Sequence, residues 1–138
     1  RRCLIPANGI YEWQKTGDTA LPKQAFYIHM PNQPLFSFAG LWDTWRDSKG
    51  EPLNTFTIIT TTPNKEMTAI HDRMPVILSH QAEELWLGAG KLEPELVHDL
   101  LQPLPDGSLV MYKVSNKVNR PGNVTSEDLI YPLPDESV

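Results

Sequence analysis

Thirteen prolines and eight glycines, spread along 138 residues, limit what this chain can become more than any other feature. Proline removes a backbone donor and stops helices, so a chain punctuated this way cannot hold long ones. Between the breaks lie short apolar runs, which read as many short strands. Residues 3–6 and 10–15 read as strands parted at Ala7-Asn8-Gly9. A turn at Thr16-Gly17-Asp18 leads through Pro22 to a strand over 25–30. Pro31-Asn32-Gln33-Pro34 turns the chain into a strand over 35–45, where Gly40 marks a bulge. Asp47-Ser48-Lys49-Gly50 is a further turn, followed by a β-branched run over 55–62.

The pattern then changes. Thr62-Pro63 reads as an N-cap with proline at the first helical position, opening two helical turns over 64–70. Met74-Pro75 ends that segment, and 76–78 is a short buried strand. Residues 79–87 read as a helix with Leu85 and Trp86 on its inner side and Gly88 as its stop. Residues 94–102 carry helical periodicity, 109–114 form a closing strand, and the tail from Ser115 is polar, with a loop signal at Asn119-Arg120-Pro121-Gly122. Strands mostly follow one another rather than alternating with helices. The predicted class is therefore α+β, one strand-rich domain.

Composition excludes several classes. The 40% hydrophobic content supports one core, and 21% charged residues with plentiful aromatics argue against disorder. No stretch approaches the ~20 apolar residues that cross a bilayer. A single cysteine cannot form an internal disulfide, which points to the cytosol. A net charge of −5 leaves no electrostatic footprint for nucleic acid. DNA binding would have to rest on specific residues, or on basic residues outside this segment. The chain opens on Arg1 with no signal-peptide pattern, so the expectation is a processed product, an expressed piece or part of a longer protein.

Three local features can carry chemistry. In Tyr11-Glu12-Trp13, strand alternation puts Glu12 on one face with Ile10 and Gln14. A carboxylate among large apolar neighbours is pushed toward its protonated form and suits general acid/base work. The alternative is a solvent-facing glutamate, the commoner state of that residue. Next, His71-Asp72-Arg73 joins a proton shuttle, a carboxylate and a phosphate-gripping guanidinium at a helix–strand junction. Alternatively, His71 caps the helix and Asp72-Arg73 is a surface ion pair. Last, Thr60-Thr61-Thr62-Pro63-Asn64 offers hydroxyls and free N–H groups to an anion, or simply a strand end and a cap. His29, His71, His80 and His98 lack zinc-ligand spacing, and His29 reads as a satisfied surface histidine. Cys3 reads as a small core residue, and core packing is expected for most of Trp13, Trp42, Trp45 and Trp86.

Taken together, three segments are far more specific. The runs 2–13 (RCLIPANGIYEW), 56–62 (FTIITTT) and 70–78 (IHDRMPVIL) closely resemble the SOS response-associated peptidase family, in that family's order. Val114-Ser115 and Val118-Asn119 resemble its closing segment. The resemblance implies a single compact α+β domain with twisted, partly barrel-like sheets flanked by short helices. It implies an abasic-site processing protein that binds single-stranded DNA containing abasic sites. An N-terminal cysteine, exposed by self-removal of the initiator methionine, forms a covalent thiazolidine with the ring-opened sugar.

Within that implied mechanism Glu12 and His71 are the catalytic residues, and Arg73 and Thr60 hold the DNA backbone. No cofactor, metal or membrane is implied, and a cytoplasmic, bacterial monomer is expected. The family's N-terminal cysteine and an asparagine in an N-A-R-x-E type motif lie upstream of the matched region. Residues 1–138 are thus expected to be the C-terminal two-thirds of one such domain, inactive in crosslinking alone, with Cys3 not the reactive cysteine. The competing reading is a noncatalytic DNA-binding or partner-binding module that retains the fold. A general protease is disfavoured, since no Ser/His/Asp set is present.

Overall fold

The computed structural model describes residues 1–14, 22–120 and 127–134. Lys15, the turn expected at 16–18, and Pro121-Gly122 lie outside the described residues. In chain order the first strands are β1 (Arg2–Ala7), β2 (Ile10–Gln14), β3 (Gln24–His29), β4 (Phe36–Arg46) and β5 (Pro52–Ile58). There follow β6 (Thr60–Thr61), helix α1 (Lys65–Thr68), β7 (Met74–Pro75) and β8 (Ile77–Leu78). Helices α2 (His80–Leu87) and α3 (Pro94–Leu100) and strand β9 (Val110–Lys113) complete the order, with 3-10 turns at Asn116–Asn119 and Glu127–Ile130.

The strand-rich α+β class holds, and the sheets are open rather than closed into a barrel. β4 is the spine. β1 pairs antiparallel along one edge of its first half, while β8 and then β5 share the other edge. A second antiparallel sheet has the order β2-β3-β9, and β6 pairs with β7. Between the two larger sheets lies the main core: Ile28 from β3, Phe36 and Phe38 from β4, Met67 from α1, and Met74 and Ile77 beyond it. Helices α2 and α3 cover the other face of the first sheet, through Trp86 and Leu100 packed with Ala39 and Leu78. Arg2 fastens this layer. Its guanidinium donates to the carbonyls of Trp86 and Gly88 (2.6 Å), at the helix end where carbonyls lack intrahelical partners, and to that of Gly90 (3.0 Å) just beyond.

Several expectations need correction. Gly40 marks no bulge, because it stays in register with Cys3 on one side and Ile58 on the other. Its smallness serves close approach. A Cβ there would lie 3.0 Å from the Thr57 carbonyl oxygen and 3.1 Å from Cys3 Sγ, and would run into the Ile5 side chain. Gly40→Ala is expected to cost about 1–3 kcal/mol, read as a lowered urea midpoint with an unchanged slope. The strand expected at 55–62 starts earlier and breaks at Ile59, whose N–H turns to the Ala39 carbonyl (2.9 Å) while its own carbonyl accepts from Val76 N–H (2.9 Å). Asn64, not Thr62, caps α1. Its side chain accepts from Met67 N–H at 3.1 Å, so Pro63 precedes the cap. Leu85 points outward at 48% exposure. Trp86 alone turns in, and its indole donates to the Cys3 carbonyl at 3.0 Å. Trp42 and Trp45 are also outside, at 40% and 56% exposure, because the second half of β4 extends past the core.

The outer face of the second sheet carries an aromatic cluster. Tyr27 lies 5.4 Å from Tyr11 and 5.9 Å from Tyr112, ring centre to ring centre, and His29 packs against Tyr27 and Tyr112. Burial, then the neighbouring phenols, raises the Tyr11 and Tyr27 hydroxyls above the ordinary 10.0, and burial alone raises Tyr112. Each therefore holds its proton more tightly folded than unfolded. The stability this lends is whole below pH 10 and is lost as pH rises through the raised values. Tyr27→Phe should flatten that alkaline loss in a urea-midpoint series. At neutral pH it should cost about 0.5–1.5 kcal/mol for the lost bond to the Asn8 carbonyl (3.1 Å).

Candidate active site

On β2 the alternation holds. Tyr11 and Trp13 join the aromatic face, while Ile10 packs on the main core. Between Ile10 and Gln14, half-buried Glu12 faces a cavity of about 420 Å³ whose described lining is Glu12, Trp13, Lys23, His71 and Asn119. Trp13 N–H donates to the Glu12 carboxylate over a long 3.4 Å. The Trp13 indole N–H is buried with no hydrogen-bond partner among the described residues.

His71 lines the same cavity from the link between α1 and β7. Helix α1 ends just before it, the His71 N–H closing onto the Met67 carbonyl at 2.8 Å. Its Nδ1 accepts from Arg73 N–H at 3.1 Å, which in the neutral ring leaves the proton on Nε2. The same Nδ1 lies 3.1 Å from Asp72 Oδ1, a contact that is attractive only when Nδ1 is protonated. Asp72 is largely exposed, so solvent screens that pair. The ring thus has one contact suited to its neutral form and one suited to its protonated form. The two segments are tied directly: Gln14 Nε2 donates to the Ala69 carbonyl at 2.8 Å.

Arg73 and Thr60 come together beside this cavity rather than in its described lining. Arg73 donates from Nη2 to the Thr60 carbonyl (2.6 Å) and hydroxyl (2.8 Å), and from Nε to the same hydroxyl (3.2 Å). Both residues are exposed, and the surface ion pair considered for Asp72-Arg73 is replaced by this knot. Sequence reasoning missed Lys23 as a site residue. It follows Pro22 at the start of a strand, with no pattern to distinguish it from a solvated lysine. Trp13, expected in packing, and Asn119, expected in a loop, also line the cavity. Cys3 lies elsewhere, in an apolar groove with Trp42 and Phe56. Among the described residues no three His, Cys, Asp or Glu side chains gather to hold a metal ion, and no helix is long and apolar enough to cross a membrane.

The family model described as SOS response associated peptidase (SRAP) matches residues 1–121. The chain belongs to this family. Among SRAP relatives, the abasic site processing protein YoqW of Bacillus subtilis is 43% identical over 128 residues, covering 92% of this chain and 56% of YoqW. The abasic site processing protein HMCES of Gallus gallus is 33% identical, covering 94% of this chain and 43% of its own length. A crystal structure of a protein from Bacteroides thetaiotaomicron superposes with a TM-score of 0.84 at 32% identity, covering 96% of this SRAP chain and 57% of that one. The chain therefore spans about half the length of the relatives it matches.

Proposed function

We propose that this SRAP chain supplies the acid–base half of an abasic-site processing centre acting on single-stranded DNA. In this reading the reactive cysteine comes from the N-terminal part of the family domain. Its amine attacks C1′ of the ring-opened deoxyribose and expels water to give a Schiff base. Its thiol then adds to that carbon and closes a thiazolidine. Glu12 takes the proton from the attacking amine and returns it to the departing oxygen, as water or on reversal. His71 donates a proton to the sugar ring oxygen as the ring opens, which fits a neutral ring carrying its proton on Nε2. Arg73 and Thr60 steady the flanking phosphates as one hydrogen-bonded unit. Self-removal of the initiator methionine would draw on the same carboxylate.

The observation that supports this most is the shared cavity of Glu12, on β2, and His71, in the link between α1 and β7, which are far apart in sequence. The names of the relatives agree with it. The test is incubation of abasic single-stranded DNA with the protein carrying the family's N-terminal cysteine ahead of residue 1. A heat-stable adduct is expected, lost on replacing that cysteine and kept in Cys3→Ser. Residues 1–138 alone should bind the same DNA reversibly and leave no covalent product, since Cys3 lies outside the cavity. An extended protein that binds without ever forming an adduct would instead make this a noncatalytic DNA-binding module.

A further inference from the structure

The first sheet is longer than the core beneath it. Along one face, Ile5, Phe38 and Ile58 rest on the main core. The same face continues through Cys3 and Gly40 to Trp42 and Phe56, which remain 40% and 63% exposed. A groove of about 390 Å³ runs there between β1 and the β4–β5 hairpin. Its floor is apolar, with Cys3, Ile5, Trp42 and Phe56, and no lysine or arginine is in its described lining. On the opposite face of the same overhang, Leu41, Trp45 and Leu53 are exposed too. A large aromatic cross-strand pair such as Trp42 and Phe56, in direct register, is costly to leave in water.

We infer that this overhang is an unfinished core face, and that its occupant is the part of the SRAP domain lying outside the region this chain matches. Three observations select that occupant. The relatives have the polypeptide to cover it: the chain accounts for only 56% of YoqW and 57% of the Bacteroides thetaiotaomicron protein. The face is continuous with a core already built, so covering it extends one hydrophobic layer rather than creating a separate surface. Arg1 also lies at its rim. Its carbonyl accepts from Trp42 N–H at 2.9 Å, and its guanidinium sits 4.7 Å over the Trp42 ring and 3.0 Å from Asp43 Oδ1. Polypeptide continuing upstream of Arg1 would leave the sheet at this groove. A nucleic acid strand is a poor fit, because phosphate binding needs cations and Arg1, at the rim, is already paired with Asp43.

The test is hydroxyl-radical footprinting of residues 1–138 alone and of the same residues joined, in native order, to the part of YoqW they leave unmatched. Labelling of Trp42 and Phe56 should be high in the first and fall severalfold in the second, while Trp86 stays low in both as the mark of an intact fold. Phe56→Lys should leave the melting temperature of residues 1–138 nearly unchanged and lower that of the joined protein. Unchanged labelling at Trp42 and Phe56, or equal effects of Phe56→Lys on both proteins, overturns the inference. Protection that grows with concentration in residues 1–138 would assign the face to a second copy, and protection that needs added oligothymidylate would assign it to nucleic acid. Either would overturn it. None of these readouts depends on abasic-site chemistry.

Discussion

Glu12→Gln, in the protein carrying the family's N-terminal cysteine, is expected to slow adduct formation with abasic single-stranded DNA by about 10²–10⁴-fold, the range over which a positioned proton-transfer group acts. Glutamine keeps the length of the side chain and an oxygen to accept the Trp13 N–H, so the cavity wall should survive. What it loses is the ability to take a proton. Noncovalent affinity for the same DNA should stay near that of the parent, which separates chemistry from binding. His71→Asn should also slow the reaction, but the two variants should diverge on a substrate that presents the open-chain aldehyde. Such a substrate bypasses ring opening, so it should restore the His71 variant and leave the Glu12 variant slow. Full activity of Glu12→Gln on the natural abasic sugar would remove this carboxylate from the mechanism.

The second large effect is on folding. Phe36→Ala is expected to cost about 3–5 kcal/mol, the usual cost of emptying a buried aromatic position. Phe36 is 1% exposed, and its ring packs edge-on against Phe38 with centres 5.6 Å apart. It belongs to the cluster that joins Ile28 of the second sheet to Met67 of α1 and Met74 of β7. A loss of that size is a large share of the about 5–15 kcal/mol that holds a typical domain folded. The damage should also reach the site, because Glu12 rides on the second sheet while His71 hangs between α1 and β7. A urea titration should show the stability loss, and fluorescence of Trp13 in the residual folded state should report loosening of the cavity wall. A small, purely local effect would mean that the core collapses around the vacancy.

Much of this was legible in the residues. Strand order, the Asp47–Gly50 turn and the capped α2 follow from local chemistry. In that turn the Asp47 carboxylate gathers the N–H groups of Lys49 and Glu51, and Gly50 takes a positive φ. Gly88 stops α2 as expected, while Ser79, expected as its first residue, is its N-cap. Glu12 and His71 stood out because a carboxylate inside an aromatic strand and an imidazole at a helix–strand junction are unusual. The misses are tertiary. Whether Gly40 kinks a strand or lets Cys3 and Thr57 approach depends on neighbours from β1 and β5 that no local window contains. Core packing, expected for most of the four tryptophans, misses Trp42 and Trp45, because apolar character says that a side chain is to be covered, not by which polypeptide. Lys23 and Asn119 enter the cavity only through the packing of distant segments.

The bond from Gln14 to Ala69 has a consequence of its own. Gln14 stands two residues after Glu12, and Ala69 two residues before His71, so this single amide contact spans the jaws at the same offset on either side. Neither partner carries charge, so this contact itself should hold across salt and pH. In the proposed function, the segments that carry Glu12 and His71 are thereby clasped like the arms of a calliper before any damaged strand arrives.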